Sequence, residues 1–216
     1  MKLYRLPIVA SVALILCWIT VLPANAQVTE TYCSTDVPVF IDSVGTPIVT
    51  SNLNVPDNGI IQNVVVSLQI DHTFQDDLIV DLESPSSTSV LLFANVDGSN
   101  NNFGTQCNPF PNFILDDDAS TPVGSINTSD PTGAFIPEQP LSLFDGQNQA
   151  GLWILTINDT FNLDGGFLNC WCLEITSGLA ISNVPTMNEW AMMAFATMLG
   201  AAGAFFIYMR RRHATS

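Results

Sequence analysis

The sequence predicts an all-β domain between two membrane-targeting segments, and three observations lead to that prediction. Apolar and polar residues alternate with a period of two in short runs separated by turn residues, as in a β-sandwich. The same part of the chain contains no convincing amphipathic helix. The charges are also segregated, since residues 27–209 contain all 20 Asp and Glu but no Lys or Arg, and the five basic residues lie near the ends.

Six strands are predicted in order along the body of the chain. They are 49–55, 64–70, 78–82, 89–94, 152–157 and 167–175, with long polar loops at 95–113 and 116–151. The 89–94 run is almost wholly apolar, so we expect it in the centre of a sheet. In the last strand, Trp171, Leu173 and Ile175 share one face because side chains two apart point the same way.

Residues 1–26 are predicted to be a secretory signal peptide. Lys2 and Arg5 precede an apolar run at 8–21, and Ala24-Asn25-Ala26 provides small residues before a cleavage site. We therefore expect cleavage between Ala26 and Gln27, which leaves 27–44 as an N-terminal segment of the exported chain. An uncleaved N-terminal anchor is the alternative, although the apolar run is short for a membrane span.

The C-terminal segment is predicted to cross a membrane. Residues 191–209 carry no charge over 19 positions, which is long enough for a transmembrane helix. Three arginines at 210–212 follow directly. Because positive residues stay on the cytoplasmic side, residues 27–190 are expected to face outward.

A short motif stands directly before this span. Its residues are Val184, Pro185, Thr186, Met187, Glu189 and Trp190. Together with the apolar helix and the arginines, segment 184–212 resembles the IPTL-type C-terminal sorting signal of Gram-negative bacterial surface proteins, with Val and Met in place of Ile and Leu. The resemblance implies recognition by an exosortase-like membrane transpeptidase and transfer to the cell surface. A plain single-pass anchor is the alternative.

Four cysteines remain after the signal peptide, which contains Cys17. The even number in an exported chain favours two disulfides. Cys170 and Cys172 lie two apart in a predicted strand and point to the same face, so each is expected to pair with either Cys33 or Cys107. A bond from Cys33 would fasten the N-terminal segment to the last strand. Zinc is the alternative, but Cys-x-Cys without nearby histidines suits it poorly.

Several short motifs follow one another in register along the body of the chain. They are His72-Thr73, Asp77-Leu78, Leu82, Ser84-Pro85, Thr88, 117–119, 137–141, 144–148, 151–153, 158–160, 164–166, 168–169 and Trp171. Over residues 45–177 this series resembles the P domain (P/Homo B domain) of subtilisin-like proprotein convertases. Ser87 departs from it, since the family has Gly there. The resemblance implies a jelly-roll β-sandwich that, in the family, stabilises a neighbouring protease domain. Residues 178–183 are a predicted linker.

The charge and histidine content exclude two classes of function. A body without Lys or Arg cannot neutralise phosphates, so it does not bind nucleic acid through charge. His72 is the only histidine between 27 and 209, and no Gly-x-Ser-x-Gly motif occurs. We therefore do not expect an enzyme, and we expect His72 to be a packed or hydrogen-bonded strand residue.

Clustered carboxylates suggest a calcium site. The candidate ligands are Asp116, Asp117, Asp118, Asp76, Asp77, Asp159 and Asp164. Calcium prefers roughly six to eight oxygen ligands, which loops supply readily. Because the body lacks bases, these charges need metal, salt or protons to offset them. The run 116–118 is the favoured place and loop 97–101 a weaker one, while a solvated acidic surface is the alternative.

Two functions are consistent with these features. One is a non-catalytic surface module for binding, adhesion or envelope architecture, with a surface ligand that the sequence does not identify. The other is an accessory domain that works with a separately encoded subtilisin-like endopeptidase. A sorting signal of its own favours the first, because a protein addressed individually to the surface is more naturally autonomous.

Overall fold

A computed structural model describes residues 27–96, 99–178 and 187–213, without the side chains of 187–190 and 211–213. The predicted signal peptide with Ala26 lies outside the described residues. So do positions 97 and 98 of the candidate loop 97–101, positions 179–183 of the predicted linker, and Val184, Pro185 and Thr186 of the predicted sorting motif. Gln27 is described, as the first residue of the first strand.

The described body is built from ten strands and three short 3₁₀ helices, and a long helix follows it. The strands are β1 (Gln27–Cys33), β2 (Val39–Ile41), β3 (Ile48–Val55), β4 (Ile60–His72), β5 (Leu78–Glu83), β6 (Ser89–Ala94), β7 (Phe113–Leu115), β8 (Gly133–Phe135), β9 (Gly151–Asp159) and β10 (Gly166–Gly178). The 3₁₀ helices are Gln75–Asp77, Val123–Ser125 and Leu141–Phe144, and the long helix is α1 (Met187–His213).

The strands form two sheets that face each other. The six-stranded sheet has the order β1-β10-β4-β7-β8, with β2 also paired to β10, and the four-stranded sheet has the order β3-β9-β5-β6. Across the gap, Trp171 Nε1 donates a 2.7 Å hydrogen bond to Ser51 Oγ, and the rings of Phe93 and Phe113 lie 5.8 Å apart. The all-β prediction is confirmed, whereas the jelly-roll order of strands stays a prediction.

The core lies between the sheets and uses the faces that the alternation predicts. In β4 the side chains of Val64, Val66, Leu68 and Ile70 are all buried, as are the apolar side chains at alternate positions of β5 and β9. Each such side chain removed from water contributes about 1.5–3 kcal/mol. Apolar burial on this scale accounts for a stable body despite its lack of basic residues.

Phe103 fastens the long 95–113 loop to this core. Its ring is buried against Phe93, with 4.5 Å between the ring centroids. Its backbone exchanges two hydrogen bonds with Ile70, of 2.9 and 2.7 Å. The loop therefore packs as part of the sandwich.

The last strand organises the N-terminal segment. β1 pairs with β10 along its whole length, with Cys33 opposite Cys172, and β2 pairs with the start of β10. The disulfides join Cys33 to Cys172 and Cys107 to Cys170. This confirms that each cysteine of the last strand pairs with one of the two distant ones.

Strand β6 corrects one prediction. We expected 89–94 in the centre of a sheet, but it is the edge of the four-stranded sheet. Val90, Leu92 and Phe93 are nevertheless buried. A loop covers the open edge, since Glu138 N donates to Leu92 O at 2.9 Å and Gln139 N to Leu91 O at 3.0 Å. A protected edge can thus be as apolar as a central strand.

Helix α1 contains one segment, Ala191–Arg210, that is long and apolar enough to cross a membrane, and none of its most apolar stretch is buried in the protein. The helix begins at Met187, four residues before the predicted span. Met187, Glu189 and Trp190 of the predicted sorting motif therefore lie in its first turn.

Candidate functional site

The acidic run 116–118, which the sequence favours as the calcium site, directly follows β7. Two of its carboxylates accept hydrogen bonds from backbone N–H groups. The side chain of Asp117 accepts hydrogen bonds from Leu141 N and Ser142 N, both at 2.8 Å. Asp116 Oδ1 accepts one from Asp118 N at 2.9 Å, and Asp118 is exposed. The run therefore anchors the start of the Leu141–Phe144 helix instead of directing three carboxylates at one point.

A second acidic group forms where β4 and β9 end. The side chains of His72 and Asp159 are both fully buried, with Nε2 and Oδ2 3.3 Å apart. Asp159 Oδ1 also accepts a hydrogen bond from Phe161 N at 3.1 Å. On the other side of the imidazole, Nδ1 lies 2.7 Å from Phe74 O. His72 is thus the buried, hydrogen-bonded strand residue that was expected.

Asp77 and Asp164 complete this group, which we call the acidic-end cluster (His72, Asp77, Asp159 and Asp164). Burial raises the pKa of Asp77, the charges of Asp164 and Asp159 raise it further, and His72 opposes them. One oxygen of Asp77, Oδ2, is buried and has no hydrogen-bond partner. Asp164 Oδ1 accepts a 2.9 Å hydrogen bond from Thr73 Oγ1. Within the cluster, this oxygen of Asp77 is the buried one without a hydrogen-bond partner.

The remaining candidate, Asp76, stands beside the cluster. Its side chain is half-buried, and its backbone oxygen accepts a 2.5 Å hydrogen bond from Asn95 Nδ2. The structure therefore divides the seven candidate ligands into two groups, with Asp116, Asp117 and Asp118 in one and Asp77, Asp159 and Asp164, flanked by Asp76, in the other.

Among the described residues, no group of three or more His, Cys, Asp or Glu side chains is arranged to hold a metal ion. A cation at the acidic-end cluster would accordingly take some of its ligands from backbone oxygens or water, as calcium commonly does.

Sequence reasoning missed the pairing of His72 with Asp159. The two residues are 87 positions apart, and no local pattern connects them. The available signal was their place in the chain, since each stands at the end of a strand. β4 and β9 belong to different sheets, and their C-terminal ends meet at the same end of the sandwich.

The residues of the acidic-end cluster all lie within a segment that matches a known protein family. Residues 61–175 match the model of the proprotein convertase P-domain, which is more than half of the chain. The chain belongs to the P-domain family. This P domain is of a kind that serves serine proteases as a non-catalytic accessory domain.

Two solved structures are similar to this chain at low sequence identity. A serine protease of Aeromonas sobria in complex with the chaperone ORF2 has 16% identity and a TM-score of 0.44, covering 74% of this chain and 28% of that one. The serine protease of Aeromonas sobria alone has 17% identity and a TM-score of 0.43, covering 72% of this chain and 28% of that one. This chain therefore spans little more than a quarter of the protease's length. No curated protein matches.

Four motifs of the P-domain series meet at the acidic-end cluster. They are His72-Thr73, Asp77-Leu78, 158–160 and 164–166. The glycines of the last motif have a steric reason, because a Cβ on Gly166 would lie 1.8 Å from Asp71 O and one on Gly165 2.8 Å from Ile41 O. In this chain, therefore, the motifs build one tightly packed corner of the sandwich.

Proposed function

We propose that this chain is an exported P-domain module, anchored in a membrane by α1, that binds a partner at the cell surface and cleaves nothing. The observation on which this depends is that one chain joins a P-domain sandwich to a helix able to span a bilayer. Its two disulfides support export, because such bonds persist in oxidising compartments. The sandwich is proposed to be of the jelly-roll type.

The burial of His72 supports a non-catalytic role. A general base must come within hydrogen-bond reach of the substrate proton. The imidazole of His72 is fully buried and in contact with Asp159 and Phe74, so a peptide bound at the surface cannot reach it. Pure chain incubated with casein should release no peptides, and cleavage that His72→Ala abolishes would contradict the proposal.

Surface sorting is proposed from the motif at 184–190. If an exosortase-like enzyme recognises it, replacing Pro185 and Thr186 by alanine should leave the chain in the inner membrane, unreachable by protease added to whole cells. Thr197→Ala, in the span, is the matched control and should not change the location. Equal surface exposure of both variants would mean that the segment is a plain anchor.

Calcium binding at the acidic-end cluster is a further part of the proposal. The buried, unpartnered Oδ2 of Asp77 supports it, because such an oxygen needs a proton or a cation. A cation that binds only the folded chain stabilises it by about 2.7 kcal/mol at 100 times its Kd.

Melting the chain in calcium, magnesium and chelator at equal ionic strength tests this part. Calcium should raise the Tm specifically, and Asp77→Asn should remove the increase while Asp118→Asn keeps it. Equal Tm values in the three solutions would contradict the site.

The family relationship favours one alternative function, an accessory domain for a separately encoded subtilisin-like endopeptidase. Affinity purification of the tagged chain under native conditions distinguishes the two. A stoichiometric serine protease in the eluate, identified by a fluorophosphonate probe, would favour the accessory role over an autonomous module.

A further inference from the structure

Two loops next to the acidic-end cluster expose apolar side chains. Val44, in the loop before β3, is 76% exposed, and Leu163, in the loop before β10, is 80% exposed. The loops hold each other through hydrogen bonds from Leu163 N to Ser43 O at 3.0 Å and from Gly45 N to Asn162 Oδ1 at 2.7 Å. Leu163 has a φ of +88°, which costs a non-glycine residue energy. The fold thus holds an exposed leucine in a costly conformation.

Three exposed aromatic side chains stand within four residues of Val44 or Leu163 in the sequence. Phe40 of β2 and Phe167 of β10 stand opposite each other in register, with ring centroids 5.2 Å apart. They are 55% and 42% exposed, and Phe161 of the second loop is 62% exposed. We call Phe40, Val44, Phe161, Leu163 and Phe167 the apolar tip. Apolar groups clustered on an exposed surface, beyond the scattered ones that every protein has, mark interaction sites.

The polar surroundings of the apolar tip are acidic. Asp71 stands opposite Phe167 in register and is exposed, Asp42 Oδ1 accepts a 3.0 Å hydrogen bond from Val44 N, and Asp164 follows Leu163 directly in sequence. No Lys or Arg lies between 27 and 209 to offset these charges. The tip is therefore an apolar centre with negatively charged side chains around it, which we call its acidic rim.

The apolar tip also lies far from the point where the chain continues to α1. β10 begins beside the tip at Gly166 and ends at Gly178. A strand of this length extends about 40 Å. A chain tethered through α1 would accordingly leave the tip free to meet a partner.

We propose that the apolar tip is a docking surface for a protein partner that presents apolar side chains surrounded by Lys or Arg. Charge complementarity selects this occupant, because like charges at an interface are costly. A second copy would oppose one acidic rim to another, and an anionic lipid surface would be repelled in the same way. The proposal deepens the binding function proposed above by naming the class of partner.

The full chain in phosphatidylcholine nanodiscs allows a direct test, with empty nanodiscs as the reference. The probe is a 14-residue amphipathic peptide of Leu and Lys with a fluorescent label. Two comparison peptides replace every Lys by Glu or every Leu by Ser. Binding is followed by anisotropy, and hydrogen exchange of the backbone amides locates the bound peptide.

We expect the Leu/Lys peptide to bind, to slow exchange at 42–47 and 160–165, and to bind more weakly as salt is added. The variant V44S/L163S should weaken binding at least tenfold. The matched control L143S/L152S removes two half-exposed leucines near the other end of the sandwich and should change the Kd by less than twofold. The Glu and Ser peptides should bind at least tenfold more weakly than the Leu/Lys peptide.

Several results would overturn the proposal. They are an unchanged Kd for V44S/L163S, an equal loss in the control variant, equal binding of the Leu/Glu peptide, and self-association of the wild-type chain that V44S/L163S abolishes. Because both side chains are largely exposed, the tip variant should keep the wild-type Tm. If it does not, the single variant V44S, at a side chain that is 76% exposed, takes its place.

Discussion

The two acidic groups of this protein contain the same kind of residue and use it in opposite ways. In the run Asp116–Asp118, the carboxylates of Asp116 and Asp117 accept backbone hydrogen bonds and remain near water. In the acidic-end cluster, Asp159 is fully buried against His72, and Asp77 keeps a buried oxygen without a partner.

The difference shows that density of charge in the sequence does not predict which carboxylates lie together in the fold. Three consecutive carboxylates separate in space because successive side chains point in different directions, whereas isolated ones from distant segments converge at a strand end. The two groups differ in whether a buried carboxylate oxygen is left without a hydrogen-bond partner in the fold. The three predictions below test that distinction, from the largest expected effect to the smallest.

The largest effect is expected from Asp159→Ala. The change removes the partner of a fully buried imidazole and the acceptor of Phe161 N–H. A buried polar group left without its partner costs about 1–3 kcal/mol, and two groups lose theirs here, so urea unfolding should show a loss of about 2–4 kcal/mol. Asp159→Asn keeps an oxygen acceptor and should lose less. A cost for the alanine variant no greater than that of Asp118→Ala would contradict the buried pairing.

An intermediate effect is expected from Asp117→Ala. Two backbone N–H groups, of Leu141 and Ser142, lose their acceptor, which should cost about 1–2 kcal/mol. The exposed neighbour Asp118 is the matched control, and its replacement by alanine should stay within about 0.5 kcal/mol. The cost of Asp117→Ala should be the same in calcium and in chelator. If calcium stabilises wild type but not this variant, the run 116–118 is the metal site after all.

The smallest effect is expected from Asp77→Asn, measured without calcium as a function of pH. Because the pKa of Asp77 is raised in the folded chain, the unfolded chain releases this proton first as the pH rises. The contribution of Asp77 to the free energy of unfolding is therefore complete below about pH 4. It declines as the pH rises through the pKa of Asp77 in the folded chain. Asp77→Asn should lack this decline. At neutral pH its free energy of unfolding should exceed that of the wild type by up to about 1 kcal/mol.

Two other carboxyls need not complicate that measurement. Burial also raises the pKa of Asp81 and of Asp145, and Asp117 adds to the second shift. Both residues are present in wild type and variant, so their contributions cancel in the difference between the two curves. Identical pH profiles for wild type and Asp77→Asn would show that the fold does not perturb Asp77.

The sequence predicted those parts of the fold that a local period encodes. The alternation in β3, β4, β5 and β9 identified the buried faces, and the two-residue spacing of Cys170 and Cys172 predicted how the cysteines divide between two bonds. β1 was not predicted, because both its faces are largely exposed and its side chains therefore need not alternate between apolar and polar. β7 and β8 are three residues long, too short for a periodic signal.

The candidate site was predicted only as a list of residues. Asp77, Asp159 and Asp164 were among the proposed ligands, but their proximity depends on pairing between strands far apart in sequence. The run 116–118 was favoured because its carboxylates are consecutive in the sequence, but in the fold Asp116 and Asp117 accept backbone hydrogen bonds. The apolar tip was not predicted, since Val44 and Leu163 lie singly in loops and only the fold brings them together.

The position of β10 has a mechanical consequence. The strand carries Phe167 of the apolar tip near its beginning, and at its end Gly178 leads toward α1. It is flanked by β1 and β4 over most of its length, and both disulfides are attached to its middle, at Cys170 and Cys172. Tension between a partner held at Phe167 and an anchored Gly178 would therefore run along one covalent backbone, loading the flanking hydrogen bonds in shear and opening neither sheet.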